Sequence, residues 1–191
     1  MINAFKRGIG VITLAVLGTA SSLQVHAAGD YLLATASTGG TYYPVGVALS
    51  TLVKVKLQPT DKINMSAINS AGSGENIKLL RDNESQFAIL QGLYGSYAWK
   101  GTGPLEKEGP QTGLRSVSML WQNVEHFVVK AEYAKTGTIA DAAGIGSVAG
   151  FGKKNSGSLG SSRTILGNLG IDIDNKFELF YGGYGALASA P

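Results

Sequence analysis

Ser37-Thr38-Gly39-Gly40-Thr41-Tyr42-Tyr43-Pro44 is the stretch on which the reading of this chain turns. Just before it, Tyr31-Leu32-Leu33-Ala34-Thr35-Ala36 is short and apolar and ends in small residues, which predicts a buried strand. Just after it, Val45, Val47, Ala48, Leu49, Leu52 and Val53 share one face of a helix, and Pro44 stands where a first helical turn tolerates proline. A strand, a glycine turn and a helix start leave backbone N–H groups unpaired beside the positive end of the helix dipole, a setting that suits an anionic group. Taken alone, such a turn is equally compatible with an ordinary connection.

The same build recurs. Residues 61–68 alternate apolar and polar side chains as a half-buried strand does, and Asn69-Ser70-Ala71-Gly72-Ser73-Gly74 follows as a second small-residue turn. A short helix is expected over 75–81, with Ser73 as its N-cap. A third strand is expected over 86–91, and a tyrosine-rich helix as far as Trp99. Residues 100–113 carry the glycines and prolines of a loop. Residues 114–121 and 126–130 look like strands on either side of a chain crossing near residue 123. Beyond it the sequence predicts a short helix opened by a capping box at Thr138 to Asp141, a strand over 145–149 and a third glycine and serine turn over 150–158. A helix over 159–169 stopped by Gly170, a last strand over 177–181 and a helix start at 182–188 complete the pattern. Three strand-to-helix turns, at 37–44, 69–75 and 155–162, can converge at the carboxyl ends of parallel strands, where open α/β sheets place their ligands.

The first residues belong to a different argument. Lys6 and Arg7 precede an apolar run over 9–17 and small residues up to Ala27-Ala28, the pattern of a secretory signal peptide cleaved after Ala27. Removing those 27 of 191 residues leaves 164, and the loss of Lys6 and Arg7 without any acid lowers the formal charge from +3 to +1. No nucleic-acid footprint remains at that balance. The absence of cysteine excludes disulfides, thiolate metal sites and a cysteine nucleophile.

Catalytic chemistry finds little support. The mature chain keeps one histidine, His126, inside an apolar pattern that favours a structural role. No serine has both glycines of a nucleophile elbow, and no H-E-x-x-H or calcium-loop pattern occurs. Gly152-Lys153 comes close to a phosphate loop, but Ser147 and Lys154 stand where glycine and a hydroxyl residue belong. Gly144-Ile145-Gly146-Ser147-Val148-Ala149 fits the loose dinucleotide pattern but follows a helix-like segment instead of a strand. Tyr94 and Tyr97 have apolar neighbours and are expected to pack. Neither a cofactor nor a metal is predicted. Backbone amides and hydroxyls at the turns can hold a carboxylate and supply no nucleophile or base, which favours binding over catalysis.

Along these turns the chain resembles the TAXI-type solute receptors of tripartite ATP-independent periplasmic (TRAP) transporters, venus-flytrap proteins of the type II periplasmic-binding class. The likeness is carried by residues 37–44, by Ser70-Ala71-Gly72-Ser73-Gly74-Glu75-Asn76, by Phe87-Ala88-Ile89-Leu90-Gln91, by His126-Phe127-Val128-Val129-Lys130 and by Ser156-Gly157-Ser158. Leu93 and Asn155 depart from it, standing where a polar residue and a glycine are common. The resemblance implies an α/β fold with a first lobe over 28–122 and a second, incomplete lobe over 123–191, the chain stopping in mid-architecture. It implies a periplasmic receptor that captures a small carboxylate-bearing solute, of the amino acid or dicarboxylate class, and delivers it to the membrane permease subunits of a TRAP transporter. By it, Thr41, Tyr42, Ser73, Gln91, Ser156 and Ser158 become ligand contacts, with Gly39, Gly40 and Gly157 allowing close backbone approach. The alternative is a secreted enzyme or ligand sensor reusing the same fold.

Overall fold

The computed structural model describes residues 29–146 and 148–189, so the signal-peptide expectation for 1–27 lies outside the described residues. Strand β1 (Gly29–Ala34) is central in a parallel sheet of order β2-β1-β3. Helix α1 (Tyr42–Asp61) returns the chain so that β2 (Ile63–Ile68) pairs in register with β1, Leu33 opposite Ala67. After α2 (Ser73–Arg81), β3 (Phe87–Ala88) pairs with the other edge of β1, Leu33 opposite Phe87. The strand expected over 86–91 is therefore cut to two residues. Ile89 still donates its N–H to the Ala34 carbonyl at 2.9 Å, but its own carbonyl accepts the Asn76 side chain, which draws the chain out of the ladder.

Helix α3 (Gly92–Lys100) follows, ending at Gly101 in a left-handed conformation, φ 63°. Ile77, Tyr94, Ala98 and Leu105 form one buried cluster, with Leu90, Tyr97 and Leu114 against it, so the expectation that Tyr94 and Tyr97 pack holds. A second cluster gathers Leu159, Leu166, Ile171, Ile173 and Phe177 under a parallel pair made by β4 (Val148–Gly152) and β5 (Glu178–Tyr181). Each fully buried side chain such as Ile77, Leu166 or Ile173 stabilises the fold by roughly 1.5–3 kcal/mol relative to exposure.

Helix α4 (Gly157–Gly167) starts two residues earlier than the pattern predicts, because Ser156 caps it by accepting the Leu159 N–H. Ile171 N–H returns to the Leu166 carbonyl, with Gly170 left-handed at φ 76° between them. The sequence reading missed α5 (Ile173–Lys176), a single turn capped by the Asp172 carboxylate. Helix α6 (Tyr184–Ala188) opens after Gly183.

Two expectations fail in the crossing. Residues 114–121 and 126–130 form no strand, and His126 is exposed instead of buried. Alternation favours a strand only where a neighbouring strand supplies ladder bonds and a face to bury. Here Val117 is 82% and Val128 93% exposed, and no described strand lies alongside. At Thr138 the capping box also fails: a 3₁₀ turn over Ile139–Gly144 has no side-chain cap, and Asp141 instead accepts the Thr136 and Gly137 N–H groups at 2.9 Å.

Candidate functional site

Asn76 holds the junctions at which the first sheet ends. Fully buried, it donates to the carbonyls of Thr35 at 2.7 Å and Ile89 at 2.9 Å, just past β1 and β3. Its Oδ1 accepts the Ser70 hydroxyl at 2.6 Å, just past β2. One amide thus ties the carboxyl ends of three parallel strands. Glu75 reaches back to accept the Ala71 N–H, so the Glu-Asn pair shapes the second turn from both sides.

Ser73 is not the N-cap of α2. Gly72, at φ 120°, takes that place, a conformation open to glycine and strained for other residues. Ser73 is the first helical residue, buried, and its hydroxyl accepts the Gln91 N–H at 3.0 Å. The same hydroxyl reaches the Tyr42 phenol, whose pKa burial raises above the ordinary 10.0, with the Ser73 bond opposing and the Tyr184 and Glu125 charges adding to it.

The turn after β4 comes to the same place. The Asn155 carbonyl accepts the first N–H groups of α2, from Gly74 at 3.0 Å and Glu75 at 3.3 Å. A Cβ on Gly72 would lie 3.5 Å from Gly157 N and 3.8 Å from the Ala36 Cβ, so the three turns predicted to converge do meet. A Cβ on Gly157 would stand 2.6 Å from Gln91 Oε1 and 2.9 Å from Ser73 Oγ, the close approach that only glycine allows at this point.

The predicted residues divide into two groups. Ser73, Gln91, Ser156 and Gly157 are buried and joined to one another or to helix starts. Gly39 and Thr41 are exposed, Gly40 and Tyr42 half-buried at the start of α1, and Ser158 half-buried at the start of α4. Thr41 makes no side-chain cap bond, and Gly40 N–H closes the turn on the Ser37 carbonyl at 2.9 Å.

Four further side chains complete the surroundings. Trp121 meets Tyr42 edge-on at 5.7 Å between ring centroids. The Tyr184 hydroxyl bonds Ser158 Oγ at 2.7 Å while its ring crosses to Gly40, lying 3.2 Å from where a Cβ would stand there. Lys153 lies beside Gly183, which in turn faces Ser37. Glu125 accepts the Gln91 side-chain amide at 3.0 Å. Tyr184 had a usable signal, a fourth glycine junction at 182–184, whereas Trp121 ends a segment read as a strand and Glu125 sits in the chain crossing that follows it. Beside Gln91 opens a cleft of about 230 Å³, lined by Leu93, Asn123, Glu125, Ser161 and Ile165 among others.

Chemically the arrangement offers hydroxyls, amides, aromatic rings and two opposite charges, and among the described residues no hydrogen bond joins a serine or threonine hydroxyl there to a histidine or carboxylate. Among the described residues no group of three or more His, Cys, Asp or Glu could hold a metal ion. Among the same residues no helix is long and apolar enough to cross a membrane. The NMT1-like family matches residues 33–190, a span that runs from the last residues of β1 through β5 and takes in every junction described above. By that match the chain belongs to the NMT1-like family, a periplasmic-binding-protein-like family whose members bind solutes.

Proposed function

We propose that this protein is the extracytoplasmic receptor of a TRAP-type transporter, of the TAXI kind, which captures a small carboxylate-bearing solute and hands it to membrane permease subunits. The observation that carries the reading is the meeting of the turns after β1, β2 and β4, from which α1, α2 and α4 start. Helix starts and hydroxyls gathered in this way favour a carboxylate without any covalent chemistry. In this reading Thr41, Tyr42 and Ser158 face the solute, with Gly39 and Gly40 allowing its approach. Ser73, Gln91, Ser156 and Gly157 set the shape behind them.

Two lobes meeting near residue 123 would close on the solute as a shift between open and closed populations. A family of binding proteins that are typically not enzymes, and usually exported, supports the same conclusion. Native mass spectrometry of the protein purified from its own periplasm should find a co-purified small acid. Thr41→Ala should then weaken that acid by about tenfold, the size of one charge-assisted hydrogen bond. Unchanged affinity in Thr41→Ala and Ser156→Ala would sink the site assignment.

A further inference from the structure

Tyr184 joins two of the turns that meet here. Its ring reaches the first, 3.2 Å from where a Cβ on Gly40 would stand, and its hydroxyl bonds Ser158 Oγ at 2.7 Å, at the start of α4. The backbone that carries it is held from both sides. A Cβ on Gly183 would lie 3.6 Å from Ser37 Cβ, and the Gly182 N–H reaches the Gly152 carbonyl at 3.4 Å. Leu187 packs against β4 at Gly150, its Cδ2 2.5 Å from the Cβ position there. Tyr184 is itself 52% exposed, so these contacts fix the ring where burial does not. Tyr42 lies within the field of the same phenol.

The direction of the Tyr184–Ser158 hydrogen bond decides what Ser158 can do. A phenol gives part of its oxygen lone pair to the ring, so it donates better and accepts worse than an alkyl hydroxyl. Tyr184 is therefore the donor and Ser158 Oγ the acceptor, which leaves the serine proton to be given elsewhere. Two more donors stand beside it. The ladder of α4 starts with the Gly160 N–H on the Ser156 carbonyl at 3.3 Å, and Ser156 Oγ takes the Leu159 N–H, so the N–H groups of Gly157 and Ser158 have no intrahelical acceptor. An ionised carboxylate can only accept. Resting on the carboxylate reading above, we infer that Tyr184 is a positioning residue: by donating to Ser158 Oγ it turns the serine proton towards the solute carboxylate, beside the first N–H groups of α4.

Calorimetric titration of the full chain with acetate, succinate and glutamate tests this, followed through the acid that binds best. Ser158→Ala should weaken that acid by about tenfold, the size of one charge-assisted hydrogen bond. Tyr184→Phe keeps the ring beside Gly40 and should weaken it by about threefold or more. The double variant should bind within about twofold of Ser158→Ala alone, because Tyr184 acts only through that hydroxyl. A merely structural role for Tyr184 would instead weaken both backgrounds equally. Thermal unfolding of each variant checks that it is folded. Unchanged or tighter binding by Tyr184→Phe overturns the inference, the tighter case making the phenol a competitor of the solute. Losses that multiply in the double variant overturn it too, since Tyr184 would then act without Ser158. A neutral Ser158→Ala ends the inference and leaves the carboxylate reading standing on the other turns. Binding of none of the three acids ends both.

Discussion

The carbonyl oxygen of Asn155 accepts the backbone N–H of Gly74 at 3.0 Å, and Asn155 is left-handed at φ 62° where it does so. The left-handed step turns the carbonyl out of the β4 turn and onto the start of α2, pairing two donors that a helix leaves orphaned. Asparagine tolerates that region and a β-branched residue does not. Asn155→Gly should therefore stay within about 0.5 kcal/mol of the wild type, while Asn155→Val loses about 1–2 kcal/mol. Urea unfolding of both variants makes the comparison. Equal stability would mean that this backbone bend does not join the two sheets.

Arg163 holds Asp174 by two hydrogen bonds of 2.7 Å, and that contact, with burial opposing, keeps the Asp174 carboxyl below its ordinary 3.8. Because the folded value is depressed, the stabilisation is complete above 3.8 and is lost as pH falls through the folded value. Both side chains are over a third exposed, so solvent screening limits the pair to under about 1 kcal/mol. Asp174→Asn should lower the urea midpoint slightly at neutral pH, and the gap to the wild type should close in strong acid. A gap that persists there would assign the loss to something other than charge.

How much of this was legible in the sequence follows from the range of each signal. The junctions were readable because glycine, hydroxyl residues and the start of a periodic run lie within a few positions of one another, as at Gly39 to Val45. Meeting of the turns was a reasonable inference from parallel topology, and the structure brings Ala36, Gly72 and Gly157 together. The role of Asn76 was not readable, since its partners come from segments up to 42 residues away. Ser73 misled because a serine before a helix reads as a cap, while the left-handed preference that puts Gly72 there is a backbone property. Residues 114–130 misled for a related reason. Alternation at Val117, Met119 and Trp121 states a local preference, and only a neighbouring strand could realise it. Glu125 and Trp121 went unnoticed with them.

Gly157 offers the sharpest test of how the site is held. A methyl group there would stand 2.6 Å from Gln91 Oε1, and Gln91 is pinned by Ser73 at its backbone and by Glu125 at its amide. The side chain cannot yield without breaking one of those bonds. Gly157→Ala should therefore cost about 1–3 kcal/mol, in the range of overpacked cores. Gln91→Ala removes the obstacle, so the double variant should be more stable than the two single losses predict, by at least about 0.5 kcal/mol. Gly92, one residue beyond Gln91 and with nothing near its Cβ position, is the control. Gly92→Ala should be neutral or slightly stabilising, because at this first position of α3 alanine fits the backbone without strain and leaves the unfolded chain less freedom than glycine. Strict additivity of Gly157→Ala and Gln91→Ala in chemical unfolding would mean that the start of α4 does not rest on Gln91, and the cleft wall would then need another support.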